Sequence, residues 1–168
     1  GLLDPSATVG DLGAGTGHFS AQVAPFVAKV IAVDASEDML GAARKRLDGV
    51  SNVDLRCGEL EQLPVDDGEL DLAVMLLVLH YVVDPPKILR EVCRALAPGG
   101  RLVIVDMKLH SRDGYMEEMG HVWPGFQDSE LARWHQEAGL TCFASRPLPP
   151  DPKASGPLLF VASATRPA

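Results

Sequence analysis

The chain has 168 residues, 46% of them hydrophobic, enough to bury one core on both faces of a sheet, so a single domain over 1–168 is expected. Fifteen Lys and Arg stand against 23 Asp and Glu, and the resulting net charge of -8 disfavours nucleic acid as a partner. No apolar run reaches the roughly 18 residues a bilayer needs, and the first residues lack a basic-then-apolar signal, so a soluble, cytoplasmic chain without membrane contact is expected.

"TVGDLG" (8–13) reads as a strand, and "HFSAQVAPFVA" after it sets Phe19, Val23 and Phe26 at helical spacing. "KVIAVDAS" is a second strand. Ser36 is placed to cap a helix that has Glu37 and Asp38 in its first turn and Arg44, Lys45 and Arg46 in its last, charges that complement the helix dipole. Met39, Leu40, Ala43 and Leu47 form its expected inner face. "VDLRC" (53–57) is a third strand and "LDLAVMLLVL" (70–79) a fourth, whose unbroken apolarity predicts cover on both faces, as in a parallel sheet.

Asp84 and Pro85 open the next helix, with Ile88, Leu89, Val92 and Leu96 inward; "APGG" (97–100) ends it before a fifth strand, "RLVIVDM". Residues 108–127 show no sustained period. Asp128 or Ser129 then caps a short helix carrying Leu131, Trp134 and Ala138. "LTCFASR" and "PLLFVASA" are the last strands, joined by a proline-rich loop (147–157) and therefore expected to pair antiparallel. The order predicts an α/β, doubly wound, mostly parallel seven-stranded sheet with an antiparallel last strand and ligands at the carboxyl ends of its strands. Cys57, Cys93 and Cys142 form neither a CxxC nor a metal spacing and are expected as buried free thiols; no metal site is expected.

Asp11-x-Gly13-x-Gly15-x-Gly17 joins the first strand to the first helix. Its missing side chains admit a ligand against the backbone at a helix N-terminus. The dinucleotide fingerprint G-x-G-x-x-G would need glycine at position 18, where His18 stands. With its upstream acid, the spacing resembles motif I of the class I S-adenosylmethionine-dependent methyltransferases. Asp34 at the end of "VIAVD", Glu59 in "CGELEQLP" and the string "APGGRLVIVD" extend that resemblance along the chain.

The resemblance implies a Rossmann-like fold, S-adenosylmethionine as cofactor and S-adenosylhomocysteine as product. It implies cofactor contacts from Asp11, Gly13, Ala14, Gly15, Gly17, Phe19, Asp34, Ala35, Met39, Gly58, Glu59, Leu60 and Leu76, with Asp34 on the ribose hydroxyls and Glu59 beside the adenine amino group. "LVLHYVVDPPKILREVCRALAPGGRLVIVD" and "GHVWPGF" look like the small-molecule branch related to quinone and menaquinone C-methyltransferases, and like methyltransferase domains fused behind ArsR-type regulators. The expected partners are thus a small-molecule methyl acceptor and either a second copy of the chain or a fused upstream regulatory domain. The helices that precede the first strand in that family are expected to be missing.

A sulfonium methyl is already activated, so the protein mainly has to hold a nucleophile in line and keep water out. A base is required only where the acceptor is protonated at neutral pH, and His80, Tyr81 and His121 are the candidate catalytic residues. His110, Tyr115, His121, Trp123 and Phe126 are the expected substrate pocket, with residues 108–127 forming an aromatic lid over the transferable methyl. The alternative is that Trp123 packs against the last helix near Trp134. Two further functions stay open: a module that senses the cofactor or its product without turnover, and a nicotinamide enzyme, which the glycine spacing opposes.

Overall fold

The computed structural model describes residues 4–111, 119–150 and 156–168. Its strands are β1 (Thr8–Leu12), β2 (Lys29–Asp34), β3 (Val53–Cys57), β4 (Leu70–Leu76), β5 (Leu96–Met107), β6 (Thr141–Pro147) and β7 (Leu159–Thr165). Its helices are α1 (His18–Val23), α2 (Glu37–Arg46), α3 (Pro85–Ala95) and α4 (Asp128–Glu137). The strand order is β3-β2-β1-β4-β5-β7-β6. Neighbours are parallel from β3 through β5, and β7 runs antiparallel to both β5 and β6. The doubly wound sheet with one reversed strand is therefore present, and its order reverses between β1 and β4, which opens a crevice at the carboxyl edge.

Burial explains the apolar runs. Val30, Ile31, Ala32 and Val33 of β2 are all completely buried, because both faces of the sheet are covered there. On one face Ile88, Leu89 and Val92 of α3 and Leu131 and Trp134 of α4 pack with Met75, Leu102, Ile104 and Phe160 of the sheet. On the other, Val23 of α1 packs with Val9, Val30 and Val74. Ser36 caps α2 by accepting the Met39 N–H, and Asp84 caps α3 by accepting the Lys87 N–H, each leaving one fewer helix donor without a partner. Among the described residues no helix is long and apolar enough to cross a membrane.

Several local expectations are corrected. β4 stops at Leu76 because Leu77 turns to a φ of 56° and points outward, sending the chain into a short 3-10 turn at Leu79–Tyr81. Leu96 is buried but opens β5 instead of closing α3, since Arg166 binds the carbonyls of Arg94 and Leu96 and its own backbone pairs with Gly99 and Gly100. Gln127 is the N-cap of α4 and makes no side-chain cap bond; the Asp128 carboxylate is drawn away to Lys108 Nζ and Ser145 Oγ. Met39 and Phe26 are exposed, 46% and 61%, each one position off the buried stripe of its segment. The three cysteines are free, as expected, but Cys57 and Cys142 are exposed and Cys93 is half-buried. Cys57 and Cys142 lie on β3 and β6, the two edge strands, which have a neighbour on one side alone.

Candidate functional site

The glycine turn is built by its neighbours. Gly13 N and Ala14 N both donate to Val33 O, at 2.8 and 2.9 Å, which folds the turn back over the end of β2. That brings Gly15 N within 2.7 Å of Asp34 Oδ2, while Asp34 Oδ1 accepts from Ser36 N at 2.9 Å. One carboxylate thus holds the glycine turn and the lead into α2 together. Gly13, Gly15 and Gly17 have φ of 80°, 52° and 72°, the left-handed region where a Cβ is strained. A Cβ on Gly15 would meet nothing within 4 Å, whereas one on Gly13 would lie 2.5 Å from Val78. The side of Gly15 that a side chain would fill is therefore open.

A cleft of about 290 Å³ lies beside the turn, walled by Gly13, Asp34, Ala35, Glu59 and Leu60 on one side and by Val78, Tyr81, Val82 and Val83 on the other. Glu61 adds a third carboxylate to Asp34 and Glu59, so the cleft suits a ligand with positive charge. Of the thirteen residues expected at a cofactor, five line this cleft, and Ala14 and Gly15 shape its turn. Gly58 N donates to Asp34 O at 3.1 Å, so it positions the Glu59 segment.

The remaining expected cofactor residues have other surroundings. Asp11 is buried and accepts from Ser20 Oγ at 2.6 Å, which ties β1 to α1 beneath the turn; burial pushes its carboxyl above the usual range. Gly17 packs against Ala43 and Leu47, where a Cβ would be only 3.1 and 3.0 Å away. Phe19 and Leu76 pack on the α1 face of the sheet, and Met39 lies exposed on the first turn of α2.

The candidate catalytic residues do come together. His80 Nδ1 lies 2.8 Å from Asp106 Oδ1, and its ring centroid is 4.1 Å from that of Tyr81 and 4.3 Å from that of His121. His80 and His121 are buried, while Tyr81 is 48% exposed and forms part of the cleft wall. Burial, and then the neighbouring His80, push the His121 imidazole below its ordinary pKa and favour its neutral form, with Asp106 opposing.

The described residues after β5 are held down at 108–110 and 122–126. Val122 N and Trp123 N donate to His80 O at 2.9 and 3.1 Å, Phe126 N donates to Met107 O, and Leu109 N and His110 N donate to Phe126 O and Pro124 O. Gly125, at a φ of 86°, sits against the Lys108 backbone with no room for a Cβ, which accounts for the glycine in "GHVWPGF". The Trp123 ring is 5.5 Å from Trp134 in a T-shaped pair, and its Nε1 donates to Val82 O at 2.8 Å. Phe126 is completely buried between Trp123 and Trp134. Phe126 thus packs within the core, and Trp123 makes the contact with Trp134 that the packing alternative expected; residues 112–118 of the expected lid lie outside the described residues. His110 is half-buried on the same segment, and Tyr115 lies outside the described residues.

Reading the sequence missed Asp106, whose carboxylate organises the histidine cluster. Its signal was available: "VIVD" closes β5 with a lone acid as "VIAVD" closes β2 with Asp34. Val78 was passed over as an ordinary strand residue and Val82 was given no role, since an apolar cleft wall and an apolar core share one pattern.

Residues 10–104 match the methyltransferase-domain family. Over 96 residues the chain is 44% identical to demethylmenaquinone methyltransferase of Clavibacter sepedonicus, covering 57% of this chain and 39% of that protein. Over 103 residues it is 40% identical to malonyl-[acyl-carrier protein] O-methyltransferase of Methylococcus capsulatus, covering 60% and 38%. The chain thus spans less than half the length of these curated relatives. A solved phosphoethanolamine N-methyltransferase 2 of Haemonchus contortus, in complex with S-adenosyl-L-methionine, shares the fold with a TM-score of 0.87 at 16% identity, over 99% of this chain and 50% of that one.

Proposed function

The chain belongs to the methyltransferase-domain family of class I S-adenosylmethionine-dependent enzymes, and on that premise we propose that it transfers a methyl group from S-adenosylmethionine to a small-molecule acceptor. The observation that carries this reading is the acid-lined cleft against an open glycine turn. A ligand with a sulfonium and an ammonium group gains from Asp34, Glu59 and Glu61, whereas the pyrophosphate of a nicotinamide dinucleotide would be repelled by the same three carboxylates. The residues fit the cofactor: Gly15 leaves backbone exposed where a Cβ would intrude, and the Asp34 carboxylate lies at the end of β2 with lone pairs beyond the two N–H groups it already accepts. When bound, the cofactor supplies an activated methyl carbon that needs only an aligned nucleophile.

The chain's own residues orient and dry the site. Asp34 would hold the ribose hydroxyls while it keeps the turn closed through Gly15, and Val78, Val82 and Tyr81 would cover the cofactor from the opposite wall. The net charge of -8 argues for a small acceptor over a nucleic acid. The similarity to a demethylmenaquinone methyltransferase makes an aromatic, quinol-like acceptor the first to try. The deciding experiment is calorimetric titration of the protein with S-adenosylmethionine, S-adenosylhomocysteine and NAD. Binding of the first two without the third is expected; binding of NAD alone would overturn the reading.

A further inference from the structure

Asp106 is the one completely buried carboxylate among the described residues, and its three contacts define its state of use. Oδ1 accepts the Met107 N–H at 2.7 Å and Oδ2 accepts the His80 N–H at 3.3 Å; both backbone groups can only donate. The third contact, to His80 Nδ1 at 2.8 Å, completes a fixed ring orientation. With Asp106 accepting throughout, Nδ1 carries the imidazole proton and Nε2 carries the lone pair. The cluster also lies in the right place. His80 belongs to the 3-10 turn whose next residue, Tyr81, forms part of the cleft wall, and Asp106 is the penultimate residue of β5, the strand beside β4 at the carboxyl edge.

Resting on the methyl-transfer reading, we propose that Asp106 is a positioning residue that fixes His80 with its proton on Nδ1, so that His80 Nε2 acts as general base toward an acceptor bearing a hydroxyl. A base is of use only if the attacking atom holds a proton at neutral pH, so a phenolic or enolic O–H fits and an already ionised acceptor would not need one. The step balances. An oxygen lone pair forms the bond to the methyl carbon as the carbon–sulfur pair returns to sulfur, and the hydroxyl proton passes to His80 Nε2. The imidazolium so formed faces the Asp106 carboxylate, as in the Ser-His-Asp template. The groups that face His80 are Tyr81 on its own turn, Asp106 from β5 and His121 from the segment after it, with His110 close enough to act electrostatically on His121. The rings of Tyr81 and His121, centred 4.1 and 4.3 Å from the buried His80 ring, cover the imidazole, so one of them must move for the acceptor to reach Nε2.

The test reads the tautomer first. In protein labelled with 15N-histidine, long-range proton–nitrogen spectra should show His80 as the Nδ1–H form, the less common one for a free imidazole. Asp106→Ala, which removes the acceptor, should lose the preference for Nδ1–H and let the commoner Nε2–H form appear, while His121→Ala should leave it unchanged. Asp106→Ala should also bind S-adenosylmethionine within about twofold of the parent, since Asp106 is not in the cofactor cleft. Methyl transfer to phenol at pH 7 should fall by about 100-fold or more, within the range of general-base and tautomer losses. Transfer to 4-nitrophenol, much of which is already ionised at that pH, should fall far less. An Nε2–H tautomer in the parent protein overturns the proposal even if Asp106→Ala fails to fold, and so does an equal loss with both phenols or transfer to neither. A tautomer switch in a protein that binds no S-adenosylmethionine would instead sink the methyl-transfer reading and leave the Asp106 contact standing.

Discussion

Replacing Asp34 by alanine separates the cofactor role of this carboxylate from its structural one. In the fold it accepts Gly15 N–H at 2.7 Å and Ser36 N–H at 2.9 Å, and a carboxylate offers about four lone-pair sites, so roughly two remain for ribose hydroxyls. Hydrogen bonds to a charged acceptor contribute about 1.5–3 kcal/mol, which at 1.4 kcal/mol per decade is a loss of roughly tenfold to 150-fold in S-adenosylmethionine affinity. The structural share is smaller, because Asp34 is only half-buried and water can reach the two freed N–H groups; it should cost about 1 kcal/mol of stability. Isothermal titration gives the first quantity and urea unfolding the second. Asp34→Asn keeps one acceptor oxygen and should fall between parent and alanine in both. An unchanged dissociation constant for Asp34→Ala refutes the assignment. So would an affinity loss accompanied by collapse of the cooperative transition, which would make Asp34 a turn-holding residue and nothing more.

Gly15→Val should keep a cooperative melt, because a Cβ there meets nothing within 4 Å, yet abolish cofactor binding detectable by titration. Gly13→Val, by contrast, should lower the melting temperature sharply, since its Cβ would lie 2.5 Å from Val78. Trp123→Ala removes a half-buried ring from Trp134 and Phe126 and leaves Val82 O without its donor; about 3 kcal/mol of unfolding free energy should be lost, measured by urea titration, and a variant with parental stability and impaired turnover would restore the lid. The Arg56 guanidinium, bidentate on Glu69, holds that carboxyl down at about 2, against an ordinary value of 4.5. Its stabilisation is complete above pH 4.5 and lost as pH falls toward 2, so melting temperature should drop through that window and Glu69→Gln should flatten the drop.

The alternation of strands and helices, the α2 and α3 caps and the glycine turn were legible in the sequence because each is decided by neighbours a few residues apart. Apolar period and capping oxygens act over one helical turn, and a run such as Val30–Val33 has no low-energy place except between two covered faces. Asp34 was picked out by the family resemblance that "VIAVD" carries, and the parallel pairing of β1 with β2 is what returns it to the turn. The contacts that define the second half of the site were not legible. His80 meets Asp106 across 26 positions and Trp123 meets Val82 across 41, and in neither case does the local pattern name the partner. Phe126 and Trp123 read as a lid because aromatic residues in an aperiodic segment have no local reason to be buried. Only the approach of α4, and the bonds from Val122, Trp123 and Phe126 to backbone carbonyls of His80 and Met107, turned them into core. Local spacing selects backbone conformation, but which side chains share a dry space depends on how distant elements close over one another, and that is a property of the packed chain.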